Sequence, residues 1–509
     1  MIRSIFALLG LFISTSSFAQ MRFLVPNDQD YFVNDEGSYR YIYTASERAL
    51  LPELIKYNQL FKNIYEKEYN WVFDEQATLV LASTHNQIAN GFATPLPRLL
   101  TVYYSGGAEI IDEFSVGSWL YTLLSHETSH LYQLNIKRGY AQTLKNTFGP
   151  SDLTGAAILP PFTYTELSNA FLPAFLLEGN STFNESRFGN GGRLYSGASR
   201  ALLLQMTKAG DITTARLMNE HIEFPFGREK YLIGGFFFLD LARNHGTDAA
   251  NRYFYNHADY KFNPFNVNDP FIETFGISYN LALKRFLDYW RPMSESQQSA
   301  KERPLFTSLA HPGLTKDQNE IRTLTTDGRK LPVARIFNLK TKRWTEKTVN
   351  MPMGKLFRDN KNNLVAASSE PINNREKRAG LYGENYRFSK KYLDKYVYDQ
   401  KAGQMLWANA KSSFVSPDLY TNTKNKQHIG QSSSSGIIGD DQNAYYFKQF
   451  AKKRTMMRGQ EPLFSFNGFY GVPVEASGAR VYFIGPAAWG SSLYYYENKN
   501  FFRAHKSDT

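Results

Sequence analysis

Apolar residues recur at intervals of three and four positions along several stretches of the first 300 residues, as on one face of an α-helix. These stretches are residues 45–68, 117–134, 173–185, 194–208, 231–243 and 279–290. Short runs rich in β-branched and aromatic residues precede or flank the strongest helix and indicate strands. These runs are residues 39–43, 78–82 and 99–104. The pattern therefore predicts an α+β domain in which a mixed sheet is followed by a mostly helical half.

The pattern changes beyond residue 291. A polar segment follows at 294–301, and after Pro332 short alternating or aromatic runs are separated by Asn, Asp, Gly and Lys turns. Strand–turn–strand patterns repeat at roughly 50-residue intervals, a spacing typical of β-propeller blades. About 180 residues would make about four blades, and an open or irregular β domain fits equally well. We therefore predict a first domain at 20–300, a linker at 301–330 and an all-β domain at 331–509, either a partial propeller or an irregular β fold.

The charge distribution supports a boundary near residue 300. The chain has 58 Lys and Arg against 47 Asp and Glu, a formal net charge of +11. Acidic residues outnumber basic ones up to residue 300, so the basic excess lies in the C-terminal part. A basic surface can contact an anionic envelope surface such as lipopolysaccharide, but scattered charges are also typical of a solvated face without a partner. Nucleic-acid binding is not expected, because no nucleic-acid-binding motif is present.

The first 19 residues have the pattern of a secretory signal peptide. Arg3 precedes an apolar core from Ile5 to Ile13, and Ser17-Phe18-Ala19 fits the small-x-small cleavage rule. No other run approaches the ~20 apolar residues of a membrane helix. We therefore expect an exported protein, periplasmic or secreted. The chain contains no cysteine, which excludes disulfides and zinc–thiolate sites.

The strongest predicted helix contains the motif His126-Glu127-x-x-His130. Histidines at i and i+4 lie about one turn apart on one helix face, where both imidazoles can bind one zinc ion. The glutamate between them is placed to act on a zinc-activated water. A hydrolytic zinc site needs a third protein ligand. A metzincin-type histidine is absent because residue 136 is Ile, whereas Glu178 lies on a second predicted helix.

This set of motifs resembles the gluzincin metallopeptidases, in particular exported bacterial peptidases coupled to a Tol-type β-propeller. Further matching positions are Trp119, Gln133, Pro173, Phe175, Gly179, Glu185, Tyr231, Gly234 and Phe237. The similarity covers roughly residues 95–290. Asn180 and Ser181 depart from the family, which usually has an apolar residue and alanine there. The β-rich region is also shorter than a typical full propeller.

The resemblance implies a gluzincin domain that hydrolyses peptide bonds with one Zn²⁺ per chain. His126, His130 and Glu178 would bind the ion. Glu127 would accept a proton from the attacking water and deliver it to the leaving amine.

Two further residues have implied roles. Tyr231 is a candidate to stabilise the oxyanion, although an ordinary buried tyrosine fits the sequence equally well. Glu185 would orient a ligand histidine. The Gly-x-Met-x-Asn pattern of the aminopeptidase branch is absent, which favours an endopeptidase or a specialised substrate. The alternative hypothesis is a non-catalytic envelope-binding protein that uses a gluzincin scaffold and the basic C-terminal domain.

Overall fold

The computed structural model describes two stretches of the chain. The first is residues 30–296, apart from 83–89, 95–98, 105–117, 149–168, 220–222, 260–262 and 264. The second is residues 306–504, apart from 307, 309–312, 317–318, 360, 372–376, 385–395, 402–403, 410–417, 422–426, 432–435, 451–452, 468–470 and 488–489. The predicted signal peptide, residues 1–19, lies outside the described residues. No helix within them is both long and apolar enough to span a membrane.

A five-stranded sheet opens the described chain. Its strands are β1 (Tyr31–Glu36), β2 (Tyr39–Thr44), β3 (Ala77–Ala82), β4 (Asn90–Thr94) and β5 (Leu100–Tyr104). Their order is β1-β2-β3-β5-β4, with β2, β3 and β5 parallel to one another and β1 and β4 antiparallel to their neighbours. The sheet is thus mixed, as the sequence pattern predicts. Strand β4 forms the edge that faces the candidate site.

Ten α-helices account for most of the remaining described residues before residue 297. They are α1 (Leu51–Glu68), α2 (Trp119–Asn135), α3 (Gly139–Phe148), α4 (Ala174–Ser186), α5 (Gly197–Ala209), α6 (Thr214–Met218), α7 (Glu229–His245), α8 (Thr247–His257), α9 (Asn268–Phe275) and α10 (Tyr279–Glu295). A 3₁₀ turn at Ala45–Leu50 leads into α1, and another lies at Arg193–Tyr195. The mostly helical half predicted from apolar spacing is therefore present.

Helix α2 is buried on nearly all sides. It begins after Ser118, whose side chain accepts a hydrogen bond from the Tyr121 N–H at 3.3 Å, the usual role of an N-cap serine. Two of its serines have partners at the end of α1: the Tyr65 hydroxyl donates to the Ser125 carbonyl at 3.0 Å, and the hydroxyl of Tyr69, which follows α1 directly, lies 2.7 Å from the Ser129 hydroxyl. The sequence predicts one broad apolar side, but α2 is instead enclosed by α1, α4 and the sheet.

Helices α4 and α7 cross in direct backbone contact at two glycines. A Cβ atom on Gly179 would lie 2.6 Å from the Gly234 Cα, and a Cβ atom on Gly234 would lie 2.8 Å from the Phe175 carbonyl oxygen. Real Cβ contacts are not this short, so only glycine allows the approach. The close crossing sets Tyr231, one turn before Gly234, against Glu178. The glycines noted in the family resemblance therefore serve helix packing at the site.

The described residues from 306 to 504 form five antiparallel sheets with their strands in sequence order. Sheet 1 contains β6 (Thr315–Lys316), β7 (Glu320–Thr325), β8 (Val333–Asn338) and β9 (Arg343–Thr348). Sheet 2 contains β10 (Lys355–Arg358), β11 (Leu364–Pro371) and β12 (Lys377–Gly383). Sheet 3 contains β13 (Tyr396–Lys401), β14 (Gln404–Asn409), β15 (Asp418–Thr421) and β16 (Gln427–Gln431). Sheet 4 contains β17 (Ile437–Ile438), β18 (Ala444–Phe450), β19 (Lys453–Arg458) and β20 (Glu461–Asn467). Sheet 5 contains β21 (Val472–Ser477), β22 (Arg480–Ala487), β23 (Gly490–Glu497) and β24 (Asn500–Arg503).

Successive sheets pack face to face through apolar clusters. Buried clusters join sheets 1 and 2, sheets 2 and 3, sheets 3 and 4, and sheets 4 and 5. Phe357 of sheet 2, for example, shares a cluster with the fully buried Trp407 of sheet 3. Serial antiparallel sheets that stack in this way form a β-propeller-like domain.

The β-rich domain begins earlier than the sequence indicates. Strands β6 and β7 lie within residues 301–330, the segment predicted to be a linker, and β7 pairs with β8. The linker prediction rests on the polar residues at 294–301, and the hairpin lies beyond them. In the turn of this hairpin the Asp327 carboxylate accepts hydrogen bonds from the N–H groups of Arg329 and Lys330 at 2.9 Å. The described residues from 306 to 504 form five sheets, where the sequence predicts about four blades.

We expect Gly234→Ala to destabilise the helical domain, because the added methyl group would meet the backbone of α4. Overpacking of this kind costs about 1–3 kcal/mol. Thermal unfolding followed by circular dichroism should show a midpoint lowered by several degrees. Arg285→Ala, on the exposed face of α10, is the control and should leave the midpoint nearly unchanged. An unaltered midpoint in Gly234→Ala would contradict the close crossing.

Candidate metal centre

Three potential ligand atoms meet at one point between α2 and α4. The His126 Nε2, His130 Nε2 and Glu178 Oε2 atoms are each 3.2 Å from the other two. Ligands about 2.0–2.1 Å from a tetrahedral zinc ion are about 3.3 Å apart, so the three atoms already have the required spacing. Among the described residues, this is the one cluster of three His, Asp or Glu side chains that could hold a metal ion. The donor set and geometry fit zinc and leave a fourth position for water or substrate.

Hydrogen bonds fix the orientation of both imidazole rings. The His126 Nδ1–H donates to Glu185 Oε2 at 2.9 Å, and the His130 Nδ1–H donates to Gln133 Oε1 at 2.7 Å. Because Nδ1 is the donor in each ring, the Nε2 lone pairs are directed at the metal position. The wholly buried Glu185 also accepts from the Arg193 backbone N–H at 3.1 Å, and the Arg193 guanidinium lies 3.2 Å from it.

A buried amide network holds Gln133 in turn. The Gln133 Nε2 group donates to Asn180 Oδ1 at 2.8 Å, and the Tyr69 hydroxyl donates to the same oxygen at 2.5 Å. Asn180 Nδ2 donates to Asn251 Oδ1 at 2.8 Å, and Asn251 Nδ2 donates to Glu68 at 2.7 Å. Asn180, where the family that the sequence resembles usually has an apolar residue, is the nearest of the acceptors that orient Gln133 and, through Gln133, His130.

Ser181, the second departure, is also part of this polar layer. Its hydroxyl lies 3.3 Å from His130 Nδ1 and accepts from Gln133 Nε2 at 3.2 Å. Asn180 and Ser181 are both completely buried. The sequence signals this network only through two polar residues, Asn180 and Ser181, in an otherwise apolar helix. It does not indicate which side chains they contact.

The electrostatics of the cluster follow from burial and close opposite charges. Burial alone would lower the pKa of His126, but hydrogen bonds to Glu178 and Glu185 outweigh burial and raise that pKa to about 9. Burial would raise the pKa of Glu178, yet the two histidines hold it well below its usual range. For Glu127, burial dominates and raises the pKa despite the nearby histidines.

Glu127 lies between the metal cluster and the edge strand β4. The backbone N–H of Ala93 donates a hydrogen bond to its carboxylate. A Cβ atom on Gly91 would lie 3.0 Å from the Glu127 Cγ, so the strand packs directly on this side chain. The carboxylate is therefore held beside the cluster without being one of its three ligands.

Tyr231 reaches the same cluster from α7. Its hydroxyl donates to Glu178 Oε1 at 3.2 Å, on the carboxylate oxygen that does not face the histidines. Burial, followed by the charge of Glu178, raises the pKa of Tyr231 well above its ordinary value, which keeps the phenol protonated as a donor. The structure thus brings together all six residues singled out in the sequence: His126, Glu127, His130, Glu178, Glu185 and Tyr231.

A cleft of about 660 Å³ opens onto the cluster. Strand β4 and a stripe along α2 line one side, and the starts of α4 and α7 line the other. The α2 stripe runs from Trp119 to Leu134, a length of about 22 Å at 1.5 Å per residue. Sequence reasoning missed Arg193, Arg228 and Lys230, which also line this cleft.

No protein-family model and no curated protein matches the chain. Among solved structures, the Pyrococcus horikoshii acylaminoacyl peptidase aligns at 11% identity over 39% of each chain, with a TM-score of 0.29. The β-propeller domain of the Trilobed protease from Pyrococcus furiosus aligns at 12% identity over 39% of this chain and 70% of that one, with a TM-score of 0.28. Legionella pneumophila aminopeptidase A, in complex with aspartic acid, aligns at 11% identity over 63% of this chain and 34% of that one, also at 0.28. These TM-scores are below 0.5, so neither fold nor function is inferred from the similarities.

We expect the chain to bind one divalent zinc or cobalt ion and to release a proton as it does so. The raised pKa of His126, about 9, means that this histidine is protonated in metal-free protein at neutral pH. The metal must displace that proton, so its apparent affinity should rise by up to about tenfold per pH unit and level off above that pKa. Calorimetric titration in buffers of different ionisation enthalpy counts the protons.

The controls for metal binding are two histidine variants. His126→Ala should abolish binding, whereas His428→Ala, in sheet 3 with a half-exposed side chain, should leave it unchanged. Affinity that does not vary between pH 6 and pH 8, or that survives His126→Ala, would contradict the assignment of this ligand.

We expect Asn180→Leu to weaken metal binding although Asn180 touches no ligand of the ion. The leucine has a similar size but cannot accept the hydrogen bond from Gln133, so Gln133 loses its nearest acceptor and holds His130 less firmly. Loss of such an outer partner typically lowers metal affinity about 10–100-fold. Competition with a chromophoric chelator measures the change. Gln142→Leu removes an exposed amide contact on α3 and is the control. Equal affinities in both variants would contradict the positioning role.

Proposed function

We propose that this chain is an exported, zinc-dependent metallopeptidase of the gluzincin type. One observation supports the proposal most strongly: three ligand atoms 3.2 Å apart lie beside the buried carboxylate of Glu127, at the base of an open cleft. Glu127 is not a member of the ligand trio. Two histidines and Glu178 would thus bind the metal ion, while Glu127 would not. Zinc-dependent hydrolysis of the gluzincin type requires this division of roles.

Zinc bound there would polarise the carbonyl group of the substrate and lower the pKa of a water molecule. Glu127 accepts the proton of the attacking water and passes it to the nitrogen of the departing amine, so that one carboxylate serves as base and then as acid. Its burial favours the protonated intermediate state, because a neutral acid is less costly to bury than a carboxylate. The Ala93 N–H keeps the carboxylate directed at the cleft.

Tyr231 is proposed to stabilise the oxyanion that develops on the substrate. Its protonated hydroxyl lies beside Glu178 and lines the cleft. A hydroxyl at this position can transfer its hydrogen bond from the Glu178 carboxylate to a negatively charged oxygen on the substrate. Glu185 holds His126 in the tautomer that presents Nε2.

The cleft favours an extended substrate over a single amino acid. Strand β4 is the edge of the described sheet, so one side of its backbone has no strand neighbour there. An extended peptide could add to such an edge by backbone hydrogen bonds. The lining stripe on α2, about 22 Å long, spans about six extended residues. We therefore propose endopeptidase activity.

Export and envelope contact remain part of the proposal. Residues 1–19 are proposed to direct the chain out of the cytoplasm, and the basic propeller-like domain is proposed to face anionic surroundings. Neither is needed for the chemistry at the metal centre.

We expect Glu127→Gln to abolish peptide hydrolysis while leaving metal binding intact. The amide keeps the size of the side chain but cannot accept the proton, and loss of a general base costs about 10²–10⁴-fold in rate. The measurement combines metal analysis with cleavage of a peptide library followed by mass spectrometry. Glu53→Gln, on the exposed side of α1, is the matched control.

Two outcomes would refute the enzymatic proposal. One is wild-type protein that binds no zinc near one ion per chain. The other is Glu127→Gln protein that cleaves as fast as wild type. Zinc-loaded protein that cleaves no peptide would instead favour the non-catalytic binding role.

A further inference from the structure

Basic residues line one wall of the cleft. The lining cations are Arg193, from the 3₁₀ turn before α5, and Arg228 and Lys230, from the start of α7. The lining carboxylates in the described part of the chain are Glu127 and Glu178. A divalent ion in the metal centre would add two positive charges. The loaded cleft is therefore cationic, and cationic clefts concentrate anionic ligands.

Two of these cations lie against the ring of Tyr231. The Arg193 guanidinium carbon is 4.5 Å from the ring centre, and the Lys230 Nζ atom is 5.7 Å from it. The ring centre is itself 6.4 Å from the centre of the His126 ring. The Arg193 guanidinium and the Lys230 Nζ atom are thus no more than about 11 Å and about 12 Å from the centre of the His126 ring, which about three residues of an extended peptide span.

The basic wall lies on the His126 side of the metal centre. Arg193 contacts Glu185, which accepts the hydrogen bond from His126, and Tyr231 stacks near the same imidazole. Apolar lining residues lie along α2 on both sides of the two histidines, at Trp119, Leu123 and Leu134. A substrate that crosses the metal centre therefore meets apolar surface along α2, and positive charge where Arg193 and Lys230 lie against Tyr231.

We propose that the cleft selects substrates with a carboxylate within about three residues of the cleaved bond, on the side that faces Arg228 and Lys230. This inference rests on the proposed peptidase function and adds the substrate class. The carboxylate belongs either to an acidic side chain or to the C-terminus of the peptide. Arg193 is held by Glu185 and completes the cationic surface, while Arg228 and Lys230 at the cleft edge make the contact that distinguishes substrates.

The test compares quenched fluorescent peptides that differ at one position beside the cleaved bond, with Glu, Gln or Lys, each with a free or an amidated C-terminus. For wild type we expect the kcat/KM of the carboxylate-bearing peptides to be at least about tenfold higher than that of the amidated Gln peptide. The amidated Gln peptide lacks the carboxylate that forms the charged hydrogen bond. The ratio should fall as salt is raised. Comparing each peptide with a free C-terminus and with an amidated one shows whether the side-chain carboxylate or the C-terminal carboxylate is recognised.

The diagnostic variant is the double substitution Arg228→Gln and Lys230→Gln, which should bring the Glu-to-Gln ratio close to one. The double substitution Lys284→Gln and Arg285→Gln, at two exposed cations on α10, is the charge-matched control and should keep the wild-type ratio. A wild-type ratio near one, or a ratio that the double variant leaves unchanged, would overturn the inference while peptidase activity stands.

Binding separates this inference from the proposed chemistry. Metal-loaded Glu127→Gln protein should bind the Glu peptide at least about tenfold more tightly than the Gln peptide by fluorescence anisotropy. If wild type cleaves nothing but this preference is present, the peptidase proposal fails and carboxylate recognition stands. Equal binding of the two peptides would overturn carboxylate recognition.

Discussion

The burial of helix α2 is the constraint on which the rest of the site depends. A helix that carries two histidines, a glutamate, serines and a glutamine can be buried only if neighbouring groups satisfy each polar atom, because each buried unpaired group costs about 1–3 kcal/mol. Tyr65 of α1 and Tyr69, directly after α1, form hydrogen bonds with Ser125 and Ser129. Helix α4 supplies Glu185 and Asn180, which bond to His126 and Gln133. The bonds from His126 to Glu185 and from His130 to Gln133 thus have two effects: they allow the helix to be buried, and they orient the two imidazoles.

The close crossing of α4 and α7 serves the same centre from the other side. Gly179 follows the ligand Glu178 directly, and Gly234 lies one turn after Tyr231. Backbone contact at the glycines brings the tyrosine hydroxyl to the carboxylate, and it brings the cations at the start of α7 to the cleft. The contact between Gly179 and Gly234 thus supports three features of the site. These are metal ligation, the proposed oxyanion contact and the proposed substrate preference.

The sequence predicts those parts of the site that depend on spacing within one helix. His126 and His130 are recognisable because a four-residue interval fixes their geometry, and Glu178 is recognisable from a second apolar helix. Asn180 could not be assigned a role because its partners Gln133 and Asn251 lie on elements distant in sequence. Arg193 could not be assigned one because its position in the cleft depends on packing against Tyr231 of α7. The mixed sheet and helical half follow from apolar periodicity. The 301–330 segment misleads because the polar residues at 294–301 have the composition of a linker, although strands begin at Thr315.

His126, His130 and Glu178 are proposed to form a single tetrahedral metal centre. The decisive measurement is an anomalous difference map at the zinc absorption edge, from crystals of the full chain grown with zinc. We expect one dominant peak about 2.0–2.2 Å from both Nε2 atoms and a Glu178 oxygen, with the fourth position open to solvent. A dominant peak elsewhere, or no peak between α2 and α4, would rule out this metal centre.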